Sequence, residues 1–460
     1  MRLPLVSRLL LCACLLLHSF ASPAQQPAAS AETKTWAIRG TLVLPDAIIP
    51  SGTLLIRDGI IIAAGEHVDL PANTPVLDTH AIIAPGFIDL HNHLTWNVFP
   101  RWHPAQEFGN RYDWQQKAVY QATVSAPHEA LAADGFECAM ERYAELKAIT
   151  EGETSVVGSL HARCSEGLAR NLDLPGATPN HAPVDYNVFP FQMSEELLAQ
   201  AHQGLARNTP DAIAYALLIH VAEGSPTDAS ASREFAMLKG RNLLLPGVSL
   251  IHAGGLKPEN YAEMAAHHVG LIWSPRSNIE LYGDTANVAA AKAAGVTMAI
   301  APDWSITGSD GTLGELNYAA LWNQTHGQLF TDRDLVRMAT VNAAALAGVS
   351  ARLGSLEPGH LADLLVISPD PAATNPDAWW TLTHATPTQV ALVVVAGQPI
   401  YGDPVLLAHL AKKPETLDLC GTPKALLLTG DESWSHTSNL LTAAMAHEGR
   451  RLAPLSECGQ

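Results

Sequence analysis

The chain has 460 residues, 47% hydrophobic and 16% charged, which is the composition of an ordinary globular enzyme with room for a large core. Its formal net charge of −18 repels nucleic acid and anionic lipid at long range, so neither is expected as a partner. After the N-terminus no apolar run reaches 18 residues, and no membrane span is expected.

The first element is a targeting segment: Arg2 and Arg8, an apolar run from Leu9 to Leu17, then small residues around Ala21 to Ala24. Residues 1–24 therefore read as a signal peptide, and the mature protein as exported, periplasmic or secreted. Their removal takes away two arginines and moves the charge from −18 to −20. From Thr35 the pattern is short β-rich runs with turn signals at Gly40, Pro45-Asp46 and Arg57-Asp58-Gly59, without a helical period.

From Gly86 to Ser305 strand and helix patterns alternate. Eight strand-like runs are predicted, at residues 86–94, 154–159, 167–172, 185–189, 214–223, 249–255, 270–278 and 297–305; the third and fourth rest on short runs. Alanine-rich helical segments lie between them, at 194–207, 232–238, 258–267 and 285–294. Eight such repeats over about 250 residues predict an α/β chain folded as one (β/α)8 TIM barrel. Residues 353–403 return to β-rich runs. The flanks 35–85 and 353–403 are each too small to be stable alone, and are expected to pair as an accessory β-sandwich around the barrel domain 86–350. Residues 404–460 are a C-terminal tail without readable chemistry.

Several strand-like runs end in groups that bind metals or move protons. The first ends in His91-Asn92-His93, whose i, i+2 spacing would put both imidazoles on one face of a strand. Ala214 to Ile219 leads into His220 and Glu223, Gly247 to Ile251 into His252, and Val296 to Ala301 into Asp303. Barrels assemble their active sites at these carboxyl ends of strands. Between the first two strands a long insertion, Thr95 to Glu151, holds Trp96, Phe99, Trp102, Phe108, Tyr112 and Trp114 in its first twenty residues. These rings suit either stacking on a flat substrate or anchoring a lid or subunit contact.

With Pro85-Gly86-Phe87-Ile88-Asp89-Leu90-His91-Asn92-His93, His220-Val221-Ala222-Glu223, Ile251-His252, Ser274-Pro275-Arg276-Ser277-Asn278, Asp303 and Gly354-Ser355-Leu356-Glu357-Pro358-Gly359 in this order, the chain resembles the amidohydrolase superfamily. Within it the likeness is to the metal-dependent aminohydrolases, which include guanine, cytosine and S-adenosylhomocysteine-type deaminases and the triazine hydrolases. It spans about Thr35 to Asp403. The resemblance implies one divalent metal held by His91, His93, His220 and Asp303, with zinc expected and iron or manganese as the alternatives. It also implies catalytic roles: Glu223 moves the proton, His252 orients or polarises the attacked carbon, and Asp303 works beside them. No lysine ends the third or fourth strand, so a second, lysine-bridged metal is not expected.

Two positions depart from the group's pattern: Gly224 stands where its deaminases usually carry threonine, and Ala301-Pro302 precede Asp303 in place of glycine-threonine. Both bear on the pocket floor and leave the small-molecule substrate open. Trp96, His161, Arg276 and Asn278 are the substrate-binding candidates, with loop fastening the alternative for Arg276 and Asn278. His128 and the other histidines away from strand ends read as surface or capping residues.

The implied activity is that of an aminohydrolase attacking a small cyclic or amidine-like substrate with metal-activated water. Hydrolysis of an amide, ring amide or halogen substituent on the same site is the alternative, and an inactive scaffold a remote one. Homo-oligomerisation is left open. Once the signal is gone, Cys138, Cys164, Cys420 and Cys458 remain, an even number in an oxidising compartment, which allows three pairings.

Overall fold

The computed structural model describes residues 34–458 apart from 160–163, 165–167, 180, 375, 409–412 and 429–432. The proposed signal segment and His161 lie outside the described residues. Both β-rich flanks enter one hydrogen-bonded sheet of nine strands. Thr35–Val43, Ile48–Arg57, Ile60–Gly65 and Val76–Pro85 come from the N-terminal side, and Leu364–Ile367, Val390–Val395 and Gln398–Gly402 from the C-terminal side. The halves join where Leu364–Ile367 runs antiparallel to Val76–Pro85, with Leu364 opposite Pro85 and Ile367 opposite Ile82.

Period-two alternation explains how the sheet is used. Ala81, Ile83, Leu364, Val366, Leu392 and Val394 pack with Ile38 and Leu54 into the sheet's own core, while their neighbours Ile82, Ala84, Leu365, Ile367 and Val393 belong to the larger core shared with the barrel. Two hairpin tips meet at Gly59 and Gly397, both left-handed in φ; a Cβ on Gly59 would stand 2.6 Å from the Ala396 carbonyl oxygen. The sheet does not stop at residue 403. Glu415–Leu419 and Thr422–Leu426 add two further strands.

All eight barrel runs contain a strand, shorter than the apolar pattern predicts: Phe87–Ile88, Glu153–Val156, Arg170–Asn171, Asp185–Asn187, Leu217–Val221, Val248–His252, Gly270–Trp273 and Met298–Ile300. Their pairing is parallel throughout, in one three-stranded and one five-stranded group in chain order. Single backbone bonds cross the two seams: Val184 N–H donates to Leu172 at 2.8 Å, and Asp303 N–H to His91 at 2.9 Å. Ile88, Leu90, Val157, Leu172, Leu218, Ile251, Ile272 and Ala299 fill the interior.

Two local departures from the sequence reading matter for the site. The first barrel strand stops at Ile88 because the Asp89 carboxylate captures the His91 N–H at 2.9 Å and the Asn92 side-chain amide at 2.6 Å, so His91 and His93 lie on a turn instead of one strand face. The seventh stops at Trp273 because Pro275 starts a helix, Pro275–Tyr282, with its fixed φ at the first turn. Arg276 and Asn278 are therefore helical residues.

Disulfides join Cys138 to Cys164 and Cys420 to Cys458. The tail's helix Trp434–His447 packs on the insertion's helix Glu137–Thr150, with the Trp434 and Tyr143 rings 5.6 Å apart. Ala453 N–H donates to Val98 at 2.9 Å, and Lys147 Nζ to the Pro454 carbonyl at 3.1 Å. The tail thus braces the insertion. Among the described residues, no helix is long and apolar enough to cross a membrane.

Candidate active site

At the carboxyl ends of the barrel strands the chain brings together residues that are distant in sequence. His91 Nε2 stands 3.0 Å from His220 Nε2 and 3.1 Å from Asp303 Oδ1, and His93 Nε2 is 3.3 Å from the same carboxylate oxygen. His252 shares a group with His91 and Asp303, and another with His220 and Glu223. His252 Nε2 lies 3.6 Å from Glu223 Oε2. Strain marks these strand ends: Ala222, His252, Ala253 and Asp303 have φ of 55°, 67°, 55° and 71°. Left-handed residues without glycine's freedom persist only where surrounding packing over-determines them.

Neighbouring side chains hold the groups in their ligating or proton-moving forms. Ser274 Oγ meets His91 Nδ1 at 2.7 Å, which turns Nε2 toward the cluster. His252 Nδ1–H donates to Asn278 Oδ1 at 2.7 Å, and the Asn278 amide nitrogen donates to Thr285 Oγ1 at 3.1 Å, fixing the imidazole's orientation. Ser277 Oγ donates to Asp303 Oδ2 at 2.5 Å, and Tyr282 OH to Glu223 Oε1 at 2.7 Å.

Burial, the largest influence, pushes His91 down to about 3 against the opposing pull of Asp303. Burial, and after it the repulsion that a proton on His220 would meet from the adjoining His91 and His252 rings, hold His220 well below the usual histidine range. Asp303 is driven upward by burial, yet His91, His93 and His252 outweigh that and hold it well below the usual carboxylate range. Neutral imidazoles around an ionised carboxylate are the protonation states that ligate a cation.

The donor set fits a divalent ion. Ligand atoms about 2.0–2.1 Å from a tetrahedral zinc stand roughly 3.3 Å from one another, and the separations here are 3.0, 3.1 and 3.3 Å. A single cation at their centre would satisfy all of these donors at once, whereas a ring N–H can bridge only one pair at a time. His220 Nδ1, buried and without a hydrogen-bond partner among the described residues, contributes nothing that would hold the ring in place without such a charge.

A cavity of about 370 Å³ adjoins the cluster, lined by His93, Trp96, Asp173, Asp185 and Tyr186 among others. Trp96 stacks on His128 with ring centroids 3.6 Å apart and 6° between planes, and His128 Nε2 meets Thr95 Oγ1 at 2.9 Å. His128 is buried, not a surface or capping residue, because the insertion folds over it. The other insertion rings do different work: Trp102, Phe108, Trp114 and Tyr120 contact one another, and Trp114 and Tyr120 meet Trp304 beside Asp303. Those four anchor the insertion to the barrel.

Arg276 points elsewhere, with its guanidinium near the Tyr318 ring and 3.8 Å from Glu457 of the tail. Asn278 serves His252. Sequence reasoning gave no role to Arg111, Ser274, Ser277 or Tyr282: Ser274 and Ser277 stand within the quoted Ser274–Asn278 motif, while Arg111 and Tyr282 carry no spacing signal, since the insertion and the helix Pro275–Tyr282 bring them in by paths the strand pattern does not encode.

A parallel barrel with this mouth defines the class: a metal-dependent hydrolase of carbon–nitrogen bonds other than peptide bonds. Comparison with known proteins agrees. The amidohydrolase family model matches residues 82–400, and the chain belongs to that family. It is 24% identical over 427 residues to a 5-methylthioadenosine/S-adenosylhomocysteine deaminase of Symbiobacterium thermophilum, covering 80% of this chain and 93% of the relative. It is 28% identical over 416 residues to an imidazolonepropionase of the same organism, covering 79% and 93%. Among solved structures it is similar to an adenosine deaminase from Xanthomonas campestris with bound zinc, at TM-score 0.64 and 16% identity over 90% of this chain and 98% of that one.

Proposed function

We propose that this protein is an exported aminohydrolase that replaces an amino substituent on a small cyclic or amidine-like substrate, using one divalent ion, with zinc the first expectation. The observation that carries this reading is Glu223. Its carboxylate shares a group with His220 and His252, the two residues that tie it to the His91, His93 and Asp303 donors. The names of the deaminase relatives and the zinc in one structural neighbour support it.

An ion held by His91, His93, His220 and Asp303 would supply an activated nucleophile, lowering the pKa of a bound water from about 15.7 to about 7. Trp96 offers the substrate an aromatic wall. Glu223 accepts a proton from the attacking water and returns it to the departing nitrogen, so that a C–O bond forms, the C–N bond breaks and ammonia leaves. His252, fixed by Asn278, orients the attacked carbon's substituent. Hydrolysis of an amide or ring amide on the same donors is the second reading, kept because one relative, an imidazolonepropionase, carries a name other than deaminase. Export is part of this reading, and the Cys138–Cys164 and Cys420–Cys458 disulfides suit an oxidising compartment.

The test is a panel of aminopurines, aminopterins, aminotriazines and cyclic amides, offered to metal-loaded protein. Ammonia release from an amino heterocycle is the expected result. Ring opening of cyclic amides without ammonia would shift the assignment to the second reading. Tight stoichiometric metal without turnover of any panel member would favour an inactive scaffold.

A further inference from the structure

Glu223 has a buried cation beside it that does not belong to the metal-ligand set. Arg111, on the insertion, is 1% exposed, and its Nη1 stands 3.6 Å from Glu223 Oε2 while its Nη2 stands 4.0 Å from Glu234 Oε1. Nη1 also donates to the Val188 carbonyl at 2.7 Å, and the guanidinium carbon lies 5.1 Å from the centroids of both the Tyr112 and Phe189 rings. Glu234 is itself occupied, accepting from Tyr112 OH at 2.8 Å and from the Ala222 N–H at 2.7 Å. A guanidinium so far from water must have its charge met by these carboxylates.

The backbone shows how Arg111 arrives there. Residues 109–111 lie along residues 223–225: Ser225 N–H donates to Gly109 at 2.8 Å, Arg111 N–H to Glu223 at 3.3 Å, and Asn110 bridges Gly224. A Cβ on Gly224 would fall 2.5 Å from the Gly109 carbonyl oxygen and 3.0 Å from the Asn110 Cα. Only glycine at 224 lets the insertion sit this close. That gives the departure at this position a physical role.

We propose that Arg111 is a positioning residue which, together with Tyr282, holds the Glu223 carboxylate beside the metal-ligand cluster but off the ion, keeping it a proton carrier instead of a fifth ligand. Oε1 is engaged from the Pro275–Tyr282 helix by Tyr282 OH at 2.7 Å, and Oε2 stands equally far from Arg111 of the insertion and His252 of the cluster, 3.6 Å from each. This inference rests on the metal-dependent reading above, and its test reads metal binding rather than turnover.

The full chain is loaded with Co²⁺, and its visible absorption and affinity are measured for wild type, Arg111→Met, Arg111→Lys, Tyr282→Phe, Glu223→Gln and the Arg111→Met/Glu223→Gln double variant. Releasing Glu223 toward the ion tightens Co²⁺ binding in Arg111→Met, against the loss of affinity usual when an outer partner is removed, with a weaker visible band as the ligand number rises. Arg111→Lys keeps the wild-type spectrum. The double variant matches Glu223→Gln alone. Tyr282→Phe, which loses only a hydroxyl, shifts the spectrum in the same direction and stands in should Arg111→Met fail to fold. Spectra and affinities of Arg111→Met and Tyr282→Phe that match wild type, or an Arg111→Met change that persists without the Glu223 carboxylate, would overturn the proposal while leaving the metal reading intact. Wild type that takes up no Co²⁺ overturns the metal reading, and this inference with it.

Discussion

At the scale of single residues, those that would hold the ion are distinct from the one that moves the proton. His220 and Asp303 turn ligand atoms into the cluster, Asp303 steadied there by Ser277, whereas Glu223 is held by Tyr282 and Arg111. Glu223→Gln is therefore expected to retain full metal content and lose at least about a hundredfold in kcat, the scale of a lost general base. Metal analysis beside single-substrate kinetics checks it; loss of the ion would move Glu223 into the ligand set. Away from the site, Glu151 is buried under the helix Thr312–Thr325, and burial pushes its carboxyl up to about 8. With its folded pKa above the ordinary 4.5, the native state binds the extra proton, so this contribution is complete below about 4.5 and is lost as pH rises through about 8. Glu151→Gln should thus change Tm little at pH 5 and raise it relative to wild type at pH 9. A Tm difference that stays constant with pH would contradict this.

At the scale of elements, the insertion and the tail act as a pair. The insertion carries Trp96 and Arg111 to the site, and the tail braces it through Trp434, Ala453 and Pro454. The Cys420–Cys458 disulfide closes the tail over a separation of 38 residues. Its removal by a Cys420→Ser/Cys458→Ser double substitution should cost about 2–4 kcal/mol by loop entropy, measured by denaturant unfolding. It should also raise hydrogen exchange in both Trp434–His447 and Glu137–Thr150. Faster exchange in the tail alone would show that the two elements are not coupled.

These elements also mark where sequence reading stops. Strand existence is legible where a barrel run is a burst of apolar residues bounded by turn signals, as in Leu217–Val221 and Val248–His252, and thin where the strand is polar, as in Arg170–Asn171 and Asp185–Asn187. Strand ends are not legible, because Asp89 and Pro275 break the ladder by local hydrogen bonding and a fixed φ that hydrophobicity does not register. Helices of the insertion have mixed burial on all sides: Glu137–Thr150 buries Glu141, Glu145 and Lys147 along with its apolar residues, so no amphipathic stripe announces its packing. The tail strands were unreadable for a related reason. Glu415–Leu419 pairs with Thr422–Leu426 in a short hairpin carrying Glu415, Asp418 and Pro423, and Thr422–Leu426 joins the flank strand Gln398–Gly402 only once the chain is folded.

For the molecule as a whole, strand-end histidines and carboxylates far apart in the chain converge only if the barrel closes, so the site and the fold stand or fall together. Metal removal should accordingly lower Tm, because an ion that binds only the native cluster stabilises it by mass action; a chelated sample with unchanged Tm would argue that the cluster is preformed and empty of consequence for stability. The most direct test of the central claim is elemental analysis of the full chain purified without added metal, beside His220→Ala and Asp303→Ala. One divalent ion per wild-type chain, lost in both variants, is the expected result. A wild-type chain that neither carries nor takes up an ion, or a His220→Ala chain that keeps it in full, would contradict the account.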